Sequence, residues 1–209
     1  MSSQREALLR LLTDDDPETV RLVKEQLIVG GKNNIPELEI LVGMDNEQVS
    51  VIARDILSQI EQNTADENFL QLCSKFEEHG DLEGAMWKLA AALTPGFSVE
   101  TCENRLQMWA RQLKRRISGA ISSRERVMEL SAYLAAELGF RGNTENYYSG
   151  KNSLIPTVLD TRLGIPITLA IVYIMIGRRA DLEIDGINLP GHFIARHEDV
   201  YFDPFHKGR

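Results

Sequence analysis

The apolar positions of the first sixty residues recur in helical steps, and the set occurs twice. Leu9, Leu12, Asp16, Glu18, Val20, Leu22, Val23 and Leu27 reappear at constant spacing as Leu38, Leu41, Asp45, Glu47, Val49, Val51, Ile52 and Ile56. Each copy reads as a short helix, an acidic turn and a longer amphipathic helix. Thr64 and Glu67 then read as a capping box that opens a further helix, with Phe69, Leu72, Cys73 and Phe76 on one face. On that face Cys73 reads as a small buried hydrophobe. The next break, Thr94-Pro95-Gly96, divides an all-helical segment, 1–93, from a second domain, 94–209.

The repeated pairs follow the logic of HEAT-like hairpins, in which neighbouring pairs bury each other's apolar stripes. Two copies are too few for a free-standing solenoid, so the segment is expected to act as a helical cap.

In the second domain, Val99, Cys102, Leu106, Trp109, Leu113 and Ile117 form a helical stripe, which places Cys102 in the core. Ser122 and Glu125 form a capping box before a helix carrying Val127, Leu130, Leu134 and Leu138, which Gly139 stops. A polar loop over 141–153 precedes a short helix from Leu154 to Arg162. Pro166 suits the first position of the next helix, which is apolar on nearly all sides and must be central. The patterning then changes to strand. Leu182 and Ile184 alternate, the phase slips at Gly186 as at a bulge, and Pro190-Gly191 turns the chain. His192–His197 and Val200–Phe205 read as a hairpin around Glu198-Asp199. Its register pairs Phe193 with Pro204 and Ile194 with Asp203. His192, Ile194, Arg196, Tyr201, Asp203 and Phe205 then share a face, with His192 and Asp203 as diagonal neighbours. The fold class is α+β: a small antiparallel sheet around a buried helix, preceded by helices.

The net charge of −8 and a pI near 5.1 argue against a nucleic-acid or anionic-membrane partner. Arg105, Arg111, Lys114, Arg115 and Arg116 lack aromatic interleaving and read as a solvated helix face. Two widely separated cysteines imply no disulfide framework and no zinc knuckle. The N-terminus lacks the apolar core of a signal peptide, and the longest apolar run is too short to span a bilayer. A cytoplasmic location is expected.

Candidate chemistry gathers at the C-terminal end. A buried helix followed by strands bearing His and then Asp is the skeleton of a Cys-His-Asp amidase or acyltransferase, with the thiol at the helix N-terminus. Thr168, in the first helical turn, and Ser153, in the preceding loop, are the nearest hydroxyls that a histidine could activate. Tyr147, Tyr148 and Asn152 are candidates for a cleft wall, and Arg196 and Tyr201 for binding on the strands. His192, His197, Asp203 and His206 also offer imidazole and carboxylate to a divalent metal, although His197 points away from His192 in the register above. A structural His192–Asp203 pair tying two strands together remains open beside these. No cofactor is expected.

The motifs N-S-x-L, R-x-G-I-P-I-T-L-A, L-P-G-H-F and F-D-P-F, in that order, resemble the SirB-type transglutaminase-like family, also called transglutaminase core 2. The resemblance covers residues 95–209 well and the helical segment loosely. It implies a papain-related α+β core, in which His192 and Asp203 match the catalytic His and Asp. The family's G-x-C is occupied by Gly164-Ile165-Pro166, so proline stands where the nucleophile belongs. The expected function is a non-catalytic protein- or peptide-binding or regulatory module. A hydrolase or acyltransferase with another nucleophile is the alternative, and a metal site a further one. The family continues past D-P-F, so a C-terminal part that completes the sheet is expected beyond Arg209.

Overall fold

A computed structural model of the chain describes residues 3–79, 81–94 and 96–209. Pro95 and the side chain of Phe76 lie outside the described residues. The chain divides into two compact units, Met1–Gly80 with Ala91–Gly96, and Asp81–Ala90 with Phe97–Arg209.

The first unit is helical: α1 (Ser3–Leu12), α2 (Pro17–Gly30), α3 (Ile35–Val42) and α4 (Glu47–His79). Asp16 caps α2 by accepting from the backbone of Glu18 and Thr19, and Pro17 sits in the first turn, where its missing N–H costs nothing. The second pair is capped by Asn46, whose Oδ1 accepts from Val49 N. Leu12, Leu38, Leu41, Val49, Ile56 and Ile60 are buried in one core.

Two expectations fail in α4. Thr64 opens no helix, because neither Gly nor Pro interrupts the chain between Glu47 and His79 and the helix runs straight through it. Cys73 is exposed and not buried, since the packed stripe of this helix lies in its first four turns, up to Ile60.

The second unit is α+β. Helices α5 (Leu82–Leu93, of which Ala91–Leu93 fall in the first unit), α6 (Val99–Ile117), α7 (Ser123–Ser131), α8 (Ile155–Thr161) and α9 (Pro166–Arg179) accompany strands β1 (Arg141–Gly142), β2 (Leu163–Gly164), β3 (Ile184–Leu189), β4 (His192–His197) and β5 (Val200–Phe202). Ser122 caps α7 through Glu125 N, and Glu125 in turn accepts from Ile121 N. The stripe of α6 is buried at Cys102, Leu106, Trp109, Ala110 and Leu113. Its basic residues are largely paired with acids: Arg105 with Asp160, Lys114 with Asp181, and Arg116 with Glu137.

Helix α9 is buried from Thr168 through Gly177 and packs against β3, β4 and α6, so it forms the axis of the core. No helix among the described residues is long and apolar enough to cross a membrane.

Strands β3, β4 and β5 form an antiparallel meander. The β4–β5 register is the predicted one, with Ala195 opposite Phe202, Arg196 opposite Tyr201 and His197 opposite Val200. The pairing ends at Phe202, because Asp203 begins a 3-10 turn over Pro204–His206. The predicted bulge is absent: β3 pairs with β4 without a slip from Ile184↔His197 to Leu189↔His192. Gly186 has another role. A Cβ there would lie 2.6 Å from the Phe193 ring, so the glycine admits a neighbouring aromatic and leaves the ladder intact. A short parallel pair joins Arg141 to Leu163 and Gly142 to Gly164; its first strand falls in what the sequence reads as loop, and its second just after the short helix.

Candidate functional site

Asp203 organises the site. Its Oδ1 accepts from the backbone N–H of Phe205 (2.9 Å) and of His206 (3.3 Å), which caps the 3-10 turn with Pro204 at its first position. A 3-10 turn has three residues per turn, so side chains at i and i+3 eclipse. That geometry sets His206 directly over Asp203, with Nδ1 2.7 Å from Oδ2. From the start of β4, His192 reaches the same oxygen through Nε2 at 2.6 Å. Oδ2 is therefore shared by two imidazoles while Oδ1 is held by the backbone. The Asp203 side chain is 17% exposed, His192 27% and His206 62%, which places the cluster at the surface with its carboxylate turned inward.

Burial pushes the Asp203 carboxyl up. The hydrogen bonds from His206 and His192 and the His192 charge outweigh it, and the carboxyl sits below the usual carboxylate range. The bond at Nε2 fixes the ring of His192 and leaves Nδ1 as its remaining nitrogen.

Aromatic rings flank the cluster. Phe205 meets His192 edge-on at 6.2 Å, His206 at 5.1 Å and Tyr147 at 6.0 Å, and Tyr147 meets Tyr148 at 5.3 Å. Tyr148 is 96% exposed, so this path of rings ends in solvent. Phe205 can lie there because residue 142 is glycine: a Cβ would stand 2.5 Å from the ring.

The remaining sequence-predicted residues fall outside the cluster. Thr168 is 2% exposed, and its hydroxyl donates to the Asn152 carbonyl at 2.7 Å and accepts from Ile165 N–H at 3.2 Å. It fastens the start of α9 to the preceding loop, and no hydrogen bond joins it to His192. Asn152 is 5% exposed, and its amide donates to the carbonyls of Asn146 and Tyr147 while its Oδ1 accepts from Asn143. It shapes the loop from inside and forms no cleft wall.

Ser153 ends the 3-10 turn over Gly150–Ser153. Arg196 pairs with Asp185 on β3 at 2.8 Å, beside the half-exposed Tyr201 on the outer face of the sheet. His197 is 3% exposed and bonds the Glu183 carbonyl through Nδ1 at 2.7 Å, away from the cluster. Cys102 is buried and its thiol is pushed up by that burial. Pro166 is itself buried at the first position of α9.

The structure adds Phe205 and Gly142, which the sequence reading did not place in the site. It also ties His206 to Asp203. The Asp-Pro pair followed by His at the third position carries a legible signal for that turn. A cavity of about 600 Å³ lined by Ser122, Arg124, Met128, Tyr201 and Arg209 includes none of His192, Asp203 and His206.

The profile of the transglutaminase-like superfamily matches residues 100–209. The chain belongs to this superfamily. Among its relatives, a UPF0162 protein of Xylella fastidiosa (strain Temecula1) is 40% identical over 84 residues, covering 38% of this chain and 30% of the relative. A UPF0162 protein of Pseudomonas aeruginosa is 31% identical over 134 residues, 63% of this chain and 49% of the relative. Human F-box only protein 21 is 30% identical over 102 residues, 43% of this chain and 16% of that protein. The chain thus spans about half the length of the Pseudomonas relative and less of the other two. No solved structure matches it. In this transglutaminase-like protein His192 and Asp203 are in direct contact.

Proposed function

We propose that the transglutaminase-like unit is a non-catalytic module that binds a protein or peptide segment at the His192–Asp203 cluster. The observation that carries this reading is Pro166 at the start of α9, where the acyl-transfer chemistry of the fold needs a thiol. The alternatives near it are occupied: the Thr168 hydroxyl is committed to the Asn152 carbonyl, and Cys102 belongs to the core. What remains is a polar cluster at the end of an exposed path of aromatic rings, and such rings provide large contact area at low entropic cost. On this reading the unit is a papain-like core of the SirB-type branch. The helix pairs of the first unit are then a HEAT-like helical segment acting as a cap, in the cytoplasm.

The test is a thermal-shift titration with a peptide library on the wild type, His192→Ala and Tyr148→Ala. A ligand at one hundred times its dissociation constant stabilises the fold by about 2.7 kcal/mol. The expected result is a stabilising peptide whose effect both variants lose. A library without hits, or hits indifferent to both substitutions, overturns the proposal.

A further inference from the structure

We propose that His192, Asp203 and His206 form a three-ligand site for a divalent first-row transition metal, with Zn²⁺ the best match. This inference goes beyond the peptide-binding reading and does not depend on it. One potential ligand atom from each residue lies within 4.8 Å of the others, and Asp203 Oδ2 already touches His192 Nε2 and His206 Nδ1. Two imidazoles and one carboxylate are the donor set that suits zinc, iron, nickel and copper, and not calcium or magnesium, which take oxygen.

The arrangement is held from outside the ligand set, as metal sites are. The two backbone N–H groups of Phe205 and His206 bind Oδ1 and present Oδ2 to the imidazoles. Phe205, seated against Gly142, fixes the turn that carries Asp203 and His206 and also meets the His192 ring. Two of the three ligands come from a single 3-10 turn, whose three-residue period brings them to one side.

Oδ2 now lies 2.6 Å and 2.7 Å from the two nitrogens. Metal–nitrogen and metal–oxygen bonds of about 2.0–2.2 Å set around an ion require wider donor spacing than this. Loading therefore exchanges the two hydrogen bonds for coordinate bonds and opens the cluster slightly. His206, 62% exposed, has room for that movement, whereas His192 and Asp203 are held. An imidazole that binds the ion does so through the lone pair of the nitrogen now facing Oδ2, with a proton on its outer nitrogen. Three protein ligands on a solvent-facing cluster leave coordination positions open to water or to a donor on a partner.

The test is a Zn²⁺ titration by isothermal calorimetry, with Co²⁺ absorption as a report on coordination. It uses the wild type, His206→Ala, His192→Ala and Cys73→Ser. Because His206 is exposed, its replacement leaves the core untouched. Cys73→Ser removes an exposed thiol, a group that could itself take up the metal. The expected result is one ion per chain, retained in Cys73→Ser, and weakened in His206→Ala and His192→Ala by at least the roughly 10- to 100-fold that even second-shell changes produce. Absence of one-to-one binding overturns the proposal. So does binding that both histidine substitutions leave unchanged, or that Cys73→Ser abolishes.

Discussion

Replacing Asp203 with alanine removes four hydrogen bonds at once, and the structure gives each a different weight. The two backbone bonds cap the turn over Pro204–His206, a role that contributes about 1 kcal/mol. The bond from His192 joins a largely covered carboxylate, and a bond to a charged group contributes about 1.5–3 kcal/mol. The bond from His206 sits on an exposed side chain, where solvent reduces such pairs to about 0–1 kcal/mol. Asp203→Ala is therefore expected to cost about 3 kcal/mol, at the upper end of what single substitutions do.

Trp87 and Trp109 both lie in the core of this unit, so tryptophan fluorescence reports its unfolding. With a urea slope of about 2 kcal/mol per molar, the midpoint should fall by about 1.5 M at pH 7. The pH dependence has a definite sign. The folded carboxyl lies below its ordinary value, so its contribution is complete above the unfolded value of about 3.9 and is lost as pH falls through the lowered folded value. The gap between wild type and variant should be widest at neutral pH and shrink below about pH 4. A midpoint shift under about 0.3 M at pH 7, or a gap that stays constant down to about pH 3, refutes the hydrogen-bond account.

Gly142→Ala should lose about 1–3 kcal/mol in the same urea assay because the new methyl collides with the Phe205 ring, and trimming Phe205 to leucine should restore part of that loss. Thr168→Val should cost about 1–3 kcal/mol by leaving the Asn152 carbonyl unpaired, and Thr168→Ser, which keeps the hydroxyl, should cost less. The Tyr173 hydroxyl is buried with no hydrogen-bond partner among the described residues, and burial pushes it strongly up. Tyr173→Phe should then leave the midpoint unchanged or raise it, and a drop of more than about 1 kcal/mol would show that the hydroxyl has a partner.

Long-period features were legible in the chain. The uniformly apolar run from Pro166 could only be a covered axis, and it is. The strand register followed from a two-residue turn at Glu198-Asp199, since one slip would have turned Phe202 from the core to solvent. Short-range geometry was less legible. Strands β1 and β2 are two residues each, below any period. Gly186 looked like a bulge because sequence does not reveal that the Phe193 ring lies over it. Thr64 looked like a cap because its signal needs a chain break that no neighbouring residue supplies.

At the site, sequence paired His192 with Asp203 but did not foresee that the carboxylate is shared. That depends on the 3-10 turn placing His206 three residues on. Asn152 and Thr168 attracted attention as polar residues near a helix start. Their polarity is spent inside the fold, on the loop before α9 and on the helix itself.

The most direct test of the central claim is intact-protein mass spectrometry after incubation with an activated glutaminyl ester, comparing wild type with His192→Ala. A fold without a nucleophile beside its histidine predicts no covalent acyl adduct that depends on His192. A single adduct present in the wild type and absent from His192→Ala, wherever it maps, would contradict the account.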